Sequence, residues 1–140
     1  MIRLSRTSEY AFRIMTYMAR FEDKLFKSDE IYKEIDVPFR YLRKLLTHLS
    51  SAGLLTSAQG KYGGYRIAKA LEEISMLDIY KAVDSQKPTN ECLFGYSSCV
   101  KDNPCEMHEN WGSLKEEFEN TLKNTNLKDI KESATKRKNS

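Results

Sequence analysis

Three cysteines and one histidine lie close together in the second half of the chain, and their side chains are ligands for soft metals. Cys92, Cys99, Cys105 and His108 fall within 17 positions, with six, five and two residues between successive members. An odd number of cysteines argues against a framework of structural disulfides. Thiolates with a histidine suit zinc or an iron–sulfur cluster, and the wide spacing favours a cluster over a zinc knuckle. A thiol redox switch and inert packing are the alternatives that the spacing leaves open.

A second candidate site is a stretch of 35 residues without a carboxylate, between Asp36 and Glu72. This acid-free stretch, residues 37–71, contains six basic side chains: Arg40, Arg43, Lys44, Lys61, Arg66 and Lys69. Residues 1–66 have a net charge of +5, residues 67–130 of −5 and residues 131–140 of +3. A surface built from the acid-free stretch is uniformly positive and suits a polyanion such as nucleic acid. The alternative is an ordinary solvated basic surface.

The elements that must position these residues can be predicted from hydrophobic periodicity and helix breakers. The first helix is expected from Thr7 to Arg20, capped by Thr7 or Ser8, and the second from Ser28 to Ile35. A third helix is expected to begin at Pro38 and to end before Gly53, with a buried stripe of leucines. Two strands, 54–57 and 65–68, then flank a glycine-rich turn. The fold class is therefore mainly α, with the element order of a winged helix-turn-helix.

The start of the third helix and the tip of the hairpin carry side chains that suit DNA. The major groove admits one helix, whose first residues reach base edges. Arginine can bind guanine through two hydrogen bonds, lysine mostly binds phosphate, and glycines let the wing backbone approach the duplex. Tyr65 is expected to pack in the core or at a hinge. The predicted DNA-binding residues are Ser28, Pro38, Phe39, Arg40, Tyr41, Arg43, Lys44, Gln59, Lys61, Tyr62 and Gly63.

The remaining chain predicts a connecting segment, a long helix and a tail. A fourth helix begins at Ser75, with Asp78 completing a capping box. A helix from near Pro104 to about Lys123 has the apolar stripe Trp111, Leu114, Phe118 and Leu122. One helix cannot bury this stripe alone, so a second subunit is expected to cover it. The predicted units are a winged domain at 1–85, a cysteine-bearing loop at 86–108, a dimerisation helix at 104–130 and a disordered polar tail at 131–140.

Composition narrows the class of protein. Hydrophobic residues make up 40% of the 140 positions and charged residues 31%, which suits a soluble globular protein. No apolar run approaches the roughly 18 residues that cross a bilayer, and no signal peptide is recognisable, so a cytoplasmic location and no membrane partner are expected. The sequence shows no nucleophile–base pattern and no phosphate-binding loop, so we do not expect an enzyme.

Several short motifs resemble one known family. They are Leu4-Ser5, Glu9-Tyr10-Ala11, Val37-Pro38, Tyr41-Leu42, Ala52-Gly53-Leu54-Leu55, Gly60, Gly63-Gly64-Tyr65 and Ile67-Ala68, followed by the three cysteines and Leu127. Over residues 1–130 the chain is similar to the IscR/NsrR-type family of bacterial winged-helix iron–sulfur transcriptional regulators. The resemblance implies a homodimer that binds a double-stranded DNA operator. It also implies that Cys92, Cys99 and Cys105 hold a two-iron or four-iron cluster, completed by His108 or by Glu9 of the partner subunit.

The chain departs from the family pattern at three places. The interval from Cys92 to Cys99 is one residue longer than usual, Gln59 stands where arginine is common, and Arg43 stands where IscR-like members often have glutamate. These differences bear on loop geometry and on the operator sequence. Within the same class of protein, the alternative is a cluster-free winged-helix repressor controlled by oxidation of cysteine thiols or by a partner protein.

Overall fold

The computed structural model describes residues 5–84 and 108–138, and within them three helices precede a hairpin and three follow it. In chain order the elements are α1 (Arg6–Ala19), α2 (Ser28–Glu34), α3 (Phe39–Ser51), β1 (Leu55–Ala58), β2 (Gly64–Ile67), a 3-10 turn (Leu71–Glu73), α4 (Met76–Val83), α5 (His108–Asn124) and α6 (Leu127–Lys138). The strands are antiparallel, with Leu55 opposite Ile67 and Ala58 opposite Gly64. The mainly α, winged helix-turn-helix fold predicted from the sequence is confirmed.

Helix α1 begins one residue earlier than the sequence suggested, because the cap is Ser5 and not Thr7 or Ser8. The Ser5 hydroxyl oxygen accepts a hydrogen bond from the backbone N–H of Ser8 at 3.2 Å. Ser8 itself is buried, and its hydroxyl donates to the carbonyl oxygen of Ser5 at 2.8 Å. The periodic apolar positions that predicted this helix do form its buried side.

Helix α3 is fixed by a proline at its start and a glycine after its end. Pro38 is the N-cap and not the first helical residue, so the helix begins at Phe39. Its leucine stripe, Leu42, Leu45, Leu46 and Leu49, is buried. Gly53 follows the C-cap with φ of +82°, a left-handed conformation that glycine adopts without strain. Since the stripe faces the core, the remaining positions of α3 face outward.

The core lies where α1, α3, α4 and the base of the wing meet. Its fully buried side chains include Ile14, Met15 and Met18 of α1, the α3 leucines, Ile74 and Ile79. Phe26, in the α1–α2 connection, is 1% exposed and pairs through its backbone with Tyr65. The capping box predicted at the start of α4 is present, with Ser75 and Asp78 bonded reciprocally at 3.0 and 3.1 Å.

The helix predicted from near Pro104 to about Lys123 corresponds to α5, and a further helix, α6, begins after residues 125–126. Asn126 caps α6: its side-chain oxygen accepts from the backbone N–H of Asp129 at 2.9 Å, and the Asp129 carboxylate accepts from the N–H of Asn126 at 3.2 Å. Residues 131–138, which the sequence analysis assigned to a polar tail, belong to α6 in the structure. Lys131 of α6 pairs with Glu22 at 3.5 Å.

The chain after α5 returns to the winged domain and completes its core. The backbone N–H of Met76 donates to the carbonyl of Thr125 at 2.8 Å, and that of Leu127 donates to the carbonyl of Ile74 at 2.9 Å. Leu127 is fully buried among the core residues. The hydrophobic core therefore extends beyond the predicted domain boundary at residue 85. Among the described helices, none has the length and apolar character that a membrane crossing requires.

Candidate nucleic-acid interface

The exposed side of α3 presents the basic residues that the sequence predicted. Phe39, Arg40, Arg43 and Lys44 are exposed and point away from the leucine stripe. Pro38 is exposed at the N-cap, whereas Ser28 is half-buried as the first residue of α2. The first two turns of α3 thus offer three cations and two exposed aromatic rings, Phe39 and Tyr41, to a ligand.

Tyr41 is held by a ring contact with α1. It is 49% exposed, and its ring centroid lies 5.9 Å from that of Tyr10. On the same side, the guanidinium of Arg13 lies 5.8 Å from the Tyr10 centroid, and its Nη1 donates to the carbonyl oxygen of Asp36 at 3.4 Å. Sequence reasoning missed Arg13, which ties α1 to the turn before α3. Its position one residue before buried Ile14, on the outer side of α1, was the available signal.

The wing tip presents Gln59, Lys61 and Tyr62, all of which are exposed. Tyr62 is 84% exposed, the largest fraction among the large hydrophobic side chains of the described residues. The Lys61 ammonium lies 5.9 Å from the Tyr62 ring centroid. The tip therefore combines a cation, an amide and an aromatic ring that have no packing role within the domain.

The glycines of the wing are required by the protein itself. Gly63 is buried, and a Cβ there would overlap the carbonyl oxygen of Ala58 across the turn. Gly64 has φ of +153°, and a Cβ there would lie 2.5 Å from the carbonyl oxygen of Phe26. At Gly63 and Gly64 the absence of a Cβ is therefore required by the protein's own backbone, whether or not these glycines also approach DNA. Gly60, with φ of +100° and open space around it, is the glycine that is free of such contacts.

Tyr65 fastens the wing to the body of the domain. Its N–H donates to the carbonyl of Phe26 at 2.7 Å, and its carbonyl accepts from the N–H of Phe26 at 2.8 Å. Its side chain is half-buried against the core, which confirms the predicted packing role. The orientation of the wing relative to α3 is thus set by a backbone bridge, which the sequence did not reveal.

The acid-free stretch forms a part of the structure that has basic but no acidic side chains. The stretch forms α3, the whole wing and the start of the 3-10 turn, so these elements carry no carboxylate before Glu72. Among the described residues, the ion pairs are Lys24–Glu30, Lys128–Glu72 and Lys131–Glu22, at 3.3 to 3.5 Å. None of these pairs involves α3 or the wing, so the cations there are available to an external anion.

Among the residues that the structure describes, three side chains have displaced pKa values, and all three lie away from α3 and the wing. Burial, with the nearby Glu34 carboxylate, raises the pKa of Tyr17. A hydrogen bond from its own backbone N–H, and then one from Lys128, lower the pKa of Glu72. The same ion pair raises the pKa of Lys128. The Lys128–Glu72 ion pair ties α6 to the 3-10 turn and has no part in the basic surface.

The predicted metal ligands divide into described and undescribed residues. Cys92, Cys99 and Cys105 lie outside the described residues, and so does the side chain of His108, whose backbone begins α5. Glu9 lies half-buried in the first turn of α1. Within 5–84 and 108–138, no group of three or more histidine, cysteine or acidic side chains is placed to hold a metal.

A hydrogen bond connects the start of α1 to the end of α4. The stretch that follows Asp84 and contains Cys92, Cys99 and Cys105 is called the cysteine segment below. The Ser5 hydroxyl donates to the Asp84 carboxylate at 3.0 Å, 79 positions away in sequence. Asp84 is also the C-cap of α4. Ser5 belongs to a motif quoted above, whereas Asp84 was not singled out from the sequence; together they join the start of α1 to the end of α4.

The apolar stripe of α5 is incompletely covered within one chain. Leu114 is 48% exposed, and Phe118 and Leu122 are half-buried. The side chain of Trp111 lies outside the described residues. A partly exposed apolar stripe on a 17-residue helix is suited to contact with another protein surface.

Comparison with known proteins places these features in context. A family model described as Rrf2, an iron-dependent transcriptional regulator, matches residues 4–133. A protein of Aquifex aeolicus named as an HTH-type transcriptional regulator is 33% identical over 90% of this chain and 89% of that protein. The regulator NsrR of Halalkalibacterium halodurans is 26% identical over 76% of this chain and 74% of that protein. The oxidized form of Staphylococcus aureus CymR superposes with a TM-score of 0.73 at 25% identity, covering 93% of this chain and 96% of that one.

Proposed function

Because this chain belongs to the Rrf2 family of transcriptional regulators, we propose that it is a homodimer whose affinity for an operator is controlled by an iron–sulfur cluster. The observation that carries the DNA-binding part is the acid-free stretch. It folds into α3 and the wing, and its cations are exposed and outside the ion pairs of the described residues. A helix and a ribbon of this charge suit a DNA duplex.

The contacts with DNA follow from where each side chain lies. Helix α3 enters the major groove at its N-terminal end, where Arg40 and Arg43 can bind guanine edges. Lys44 and Lys61 bind phosphates, because an ammonium on a flexible chain suits a backbone anion. Gln59 and Tyr62 at the wing tip contact the neighbouring groove or the sugars. Ser28, Pro38, Phe39, Tyr41 and Gly63 complete the interface that we propose.

The homodimer brings two copies of α3 to one face of the duplex. The partly exposed stripe of α5, including Leu114, supports pairing with a second copy, since most such pairings are two-fold. Two recognition helices then meet half-sites that are about one helical turn apart, which is roughly 34–36 Å. A change in their separation alters operator affinity without any change at the contacts themselves.

The donor chemistry of the cysteine segment fits an iron–sulfur cluster. Three thiolates within 14 positions, followed by a histidine, are the ligand types that such clusters use. Cys92, Cys99 and Cys105 would hold the cluster, with His108 or Glu9 of the partner subunit as the remaining ligand. When bound, the cluster supplies a group that responds to iron supply, oxidants or nitric oxide. The family description as iron-dependent supports this assignment.

The chain's own residues link that segment to α3. Ser5 and Asp84 hold the end of α4 against the start of α1, and Tyr10 of α1 contacts Tyr41 of α3. A shift of the segment beyond Asp84 can therefore reach the recognition helix through α1. A coupling free energy of about 1–3 kcal/mol would change operator occupancy roughly 5- to 150-fold.

The test is anaerobic purification followed by iron, sulfide and absorption measurements, with operator binding by fluorescence anisotropy. We expect iron and sulfide in the wild-type protein and in Ser97→Ala, and loss of both in Cys92→Ala. Wild-type affinity should change on exposure to air or nitric oxide, whereas that of Cys92→Ala should not. Iron-free wild-type protein with normal operator binding would refute cluster control, and equal affinity for operator and random duplex would refute the regulator itself.

A second candidate is a cluster-free repressor controlled by thiol oxidation. It is supported by the similarity to a CymR structure solved in an oxidized form, at 25% identity. This function requires iron-free protein whose operator affinity changes with peroxide and recovers with dithiothreitol. Iron content and reversibility by a thiol therefore distinguish the two candidates in the same preparation.

A further inference from the structure

Exposed aromatic rings are concentrated on the DNA-facing part of the domain. The large hydrophobic side chains exposed among the described residues are Phe21, Tyr32, Phe39, Tyr41, Tyr62 and Leu114. Four of these six belong to α2, α3 or the wing. Tyr41 contacts α1, and Tyr62 lies at the wing tip. Unlike these two rings, Tyr32 and Phe39 contact each other, across the turn between α2 and α3.

The two rings form an edge-to-face pair at the start of α3. Their centroids are 5.4 Å apart and their planes meet at 82°. Tyr32 is 48% exposed and Phe39 is 37% exposed, so each leaves a large apolar area in solvent. Aromatic pairs of this geometry stabilise each other, and the contact restricts the orientation of the Phe39 ring. Phe39 is the first residue of α3, at the helix end that reaches base edges.

The chemistry around the pair disfavours a phosphate contact there. Helix α2 carries three carboxylates, Asp29, Glu30 and Glu34, against one cation, Lys33, so its charge is net negative. A net negative helix is a poor partner for the phosphate backbone, so the exposed rings beside it are better suited to an uncharged part of the duplex. In the major groove the apolar feature is the C5-methyl group of thymine, which phenylalanine can contact.

We propose that Phe39 reads a thymine methyl group in each half-site and that Tyr32 is the positioning residue that orients its ring. This inference rests on the proposed DNA-binding function and specifies part of its sequence recognition. Burial of one methyl group corresponds to about a fourfold preference for thymine over uracil. For two half-sites in a dimer the preference is about 15-fold.

The test replaces thymine by deoxyuridine, one position at a time, in an operator selected from random duplexes with the wild-type protein. Deoxyuridine keeps every hydrogen-bonding group and removes only the methyl. We expect one thymine, or two adjacent ones, in each half-site where the change weakens binding about fourfold. Phe39→Ala should bind the thymine and deoxyuridine operators equally. Tyr32→Ala should lower the ratio of the affinity for the thymine operator to the affinity for the deoxyuridine operator. Tyr32→Phe should restore it, because the ring and not the hydroxyl makes the contact.

Phe21→Ala is the matched control, since Phe21 is a similarly exposed ring in the α1–α2 connection, 47% exposed. It should keep the wild-type thymine preference. A full set of substitutions without a methyl-sensitive position, or an unchanged ratio in Phe39→Ala, would overturn this inference while operator preference over random duplex persists. Loss of that preference in the wild-type protein would instead overturn the regulator function.

Discussion

Replacing Lys44 with glutamine should make operator binding less sensitive to salt. Lys44 is exposed on α3, and the ion pairs of the described residues do not include it. Each phosphate contact contributes about 0.9 to the slope of log affinity against log salt. The loss of one phosphate contact in each protomer therefore reduces the magnitude of the slope by about 1.8 for a dimer. Between about 50 and 200 mM salt, the wild-type protein should weaken roughly tenfold more than Lys44→Gln does.

The assay is fluorescence anisotropy with a labelled operator at several potassium chloride concentrations. Lys61→Gln in the wing should reduce the slope by a similar amount. The matched control is Lys128→Gln, because Lys128 lies on α6 and pairs with Glu72 at 3.3 Å. Its slope should equal that of the wild type. An unchanged slope in Lys44→Gln would show that α3 does not contact phosphate there. A reduced slope in Lys128→Gln would show that total charge, not the acid-free stretch, governs binding.

Three further predictions concern the scaffold. Leu127→Ala should lower the free energy of unfolding by about 2–5 kcal/mol in urea titrations, because Leu127 is fully buried, whereas Ser133→Ala, at an exposed position of the same helix, should change it little. Gly64→Ala should lower both operator affinity and melting temperature more than Gly60→Ala, because a Cβ at Gly64 would lie 2.5 Å from a carbonyl oxygen, whereas a Cβ at Gly60 would meet no atom within 4 Å. Equal effects of the two substitutions would contradict this. The lowered pKa of Glu72 gives stability that is present above the unfolded carboxyl pKa and is lost as the pH falls through the folded value. Wild type and Glu72→Gln should therefore differ in urea unfolding at neutral pH and converge in acid; a constant difference would contradict it.

Most of the winged domain could be predicted because its determinants are local. The leucine stripe of α3, Gly53 after its end and the Ser75–Asp78 capping box each act within a few residues, and the structure contains all three. The start of α1 was placed late because Ser5, Thr7 and Ser8 are all competent caps by type. Which of them caps the helix depends on the tertiary contact of Ser5 with Asp84.

The parts that the sequence did not predict depend on distant pairs. The bridge between Phe26 and Tyr65 and the return of Leu127 to Ile74 join residues with no periodic relation. The end of α5 was predicted near Lys123, but α6 was not predicted as a separate helix, because its cap at Asn126 follows α5 without proline or glycine at the junction. For the candidate site, the basic residues could be found from charge alone, whereas the pairing of Tyr32 with Phe39 required the angle between α2 and α3.

The return of the chain after α5 has a consequence for how such proteins diversify. The winged domain is built from residues 5–84 together with the segment that begins at Thr125, so the intervening stretch leaves and re-enters one body. It has the topology of an insertion, anchored by Asp84 at its exit and by Leu127 at its re-entry. Insertions at such surface positions are tolerated because the host core is closed without them. If this stretch is the receiver that we propose, one receiver can be replaced by another while the winged domain keeps its architecture.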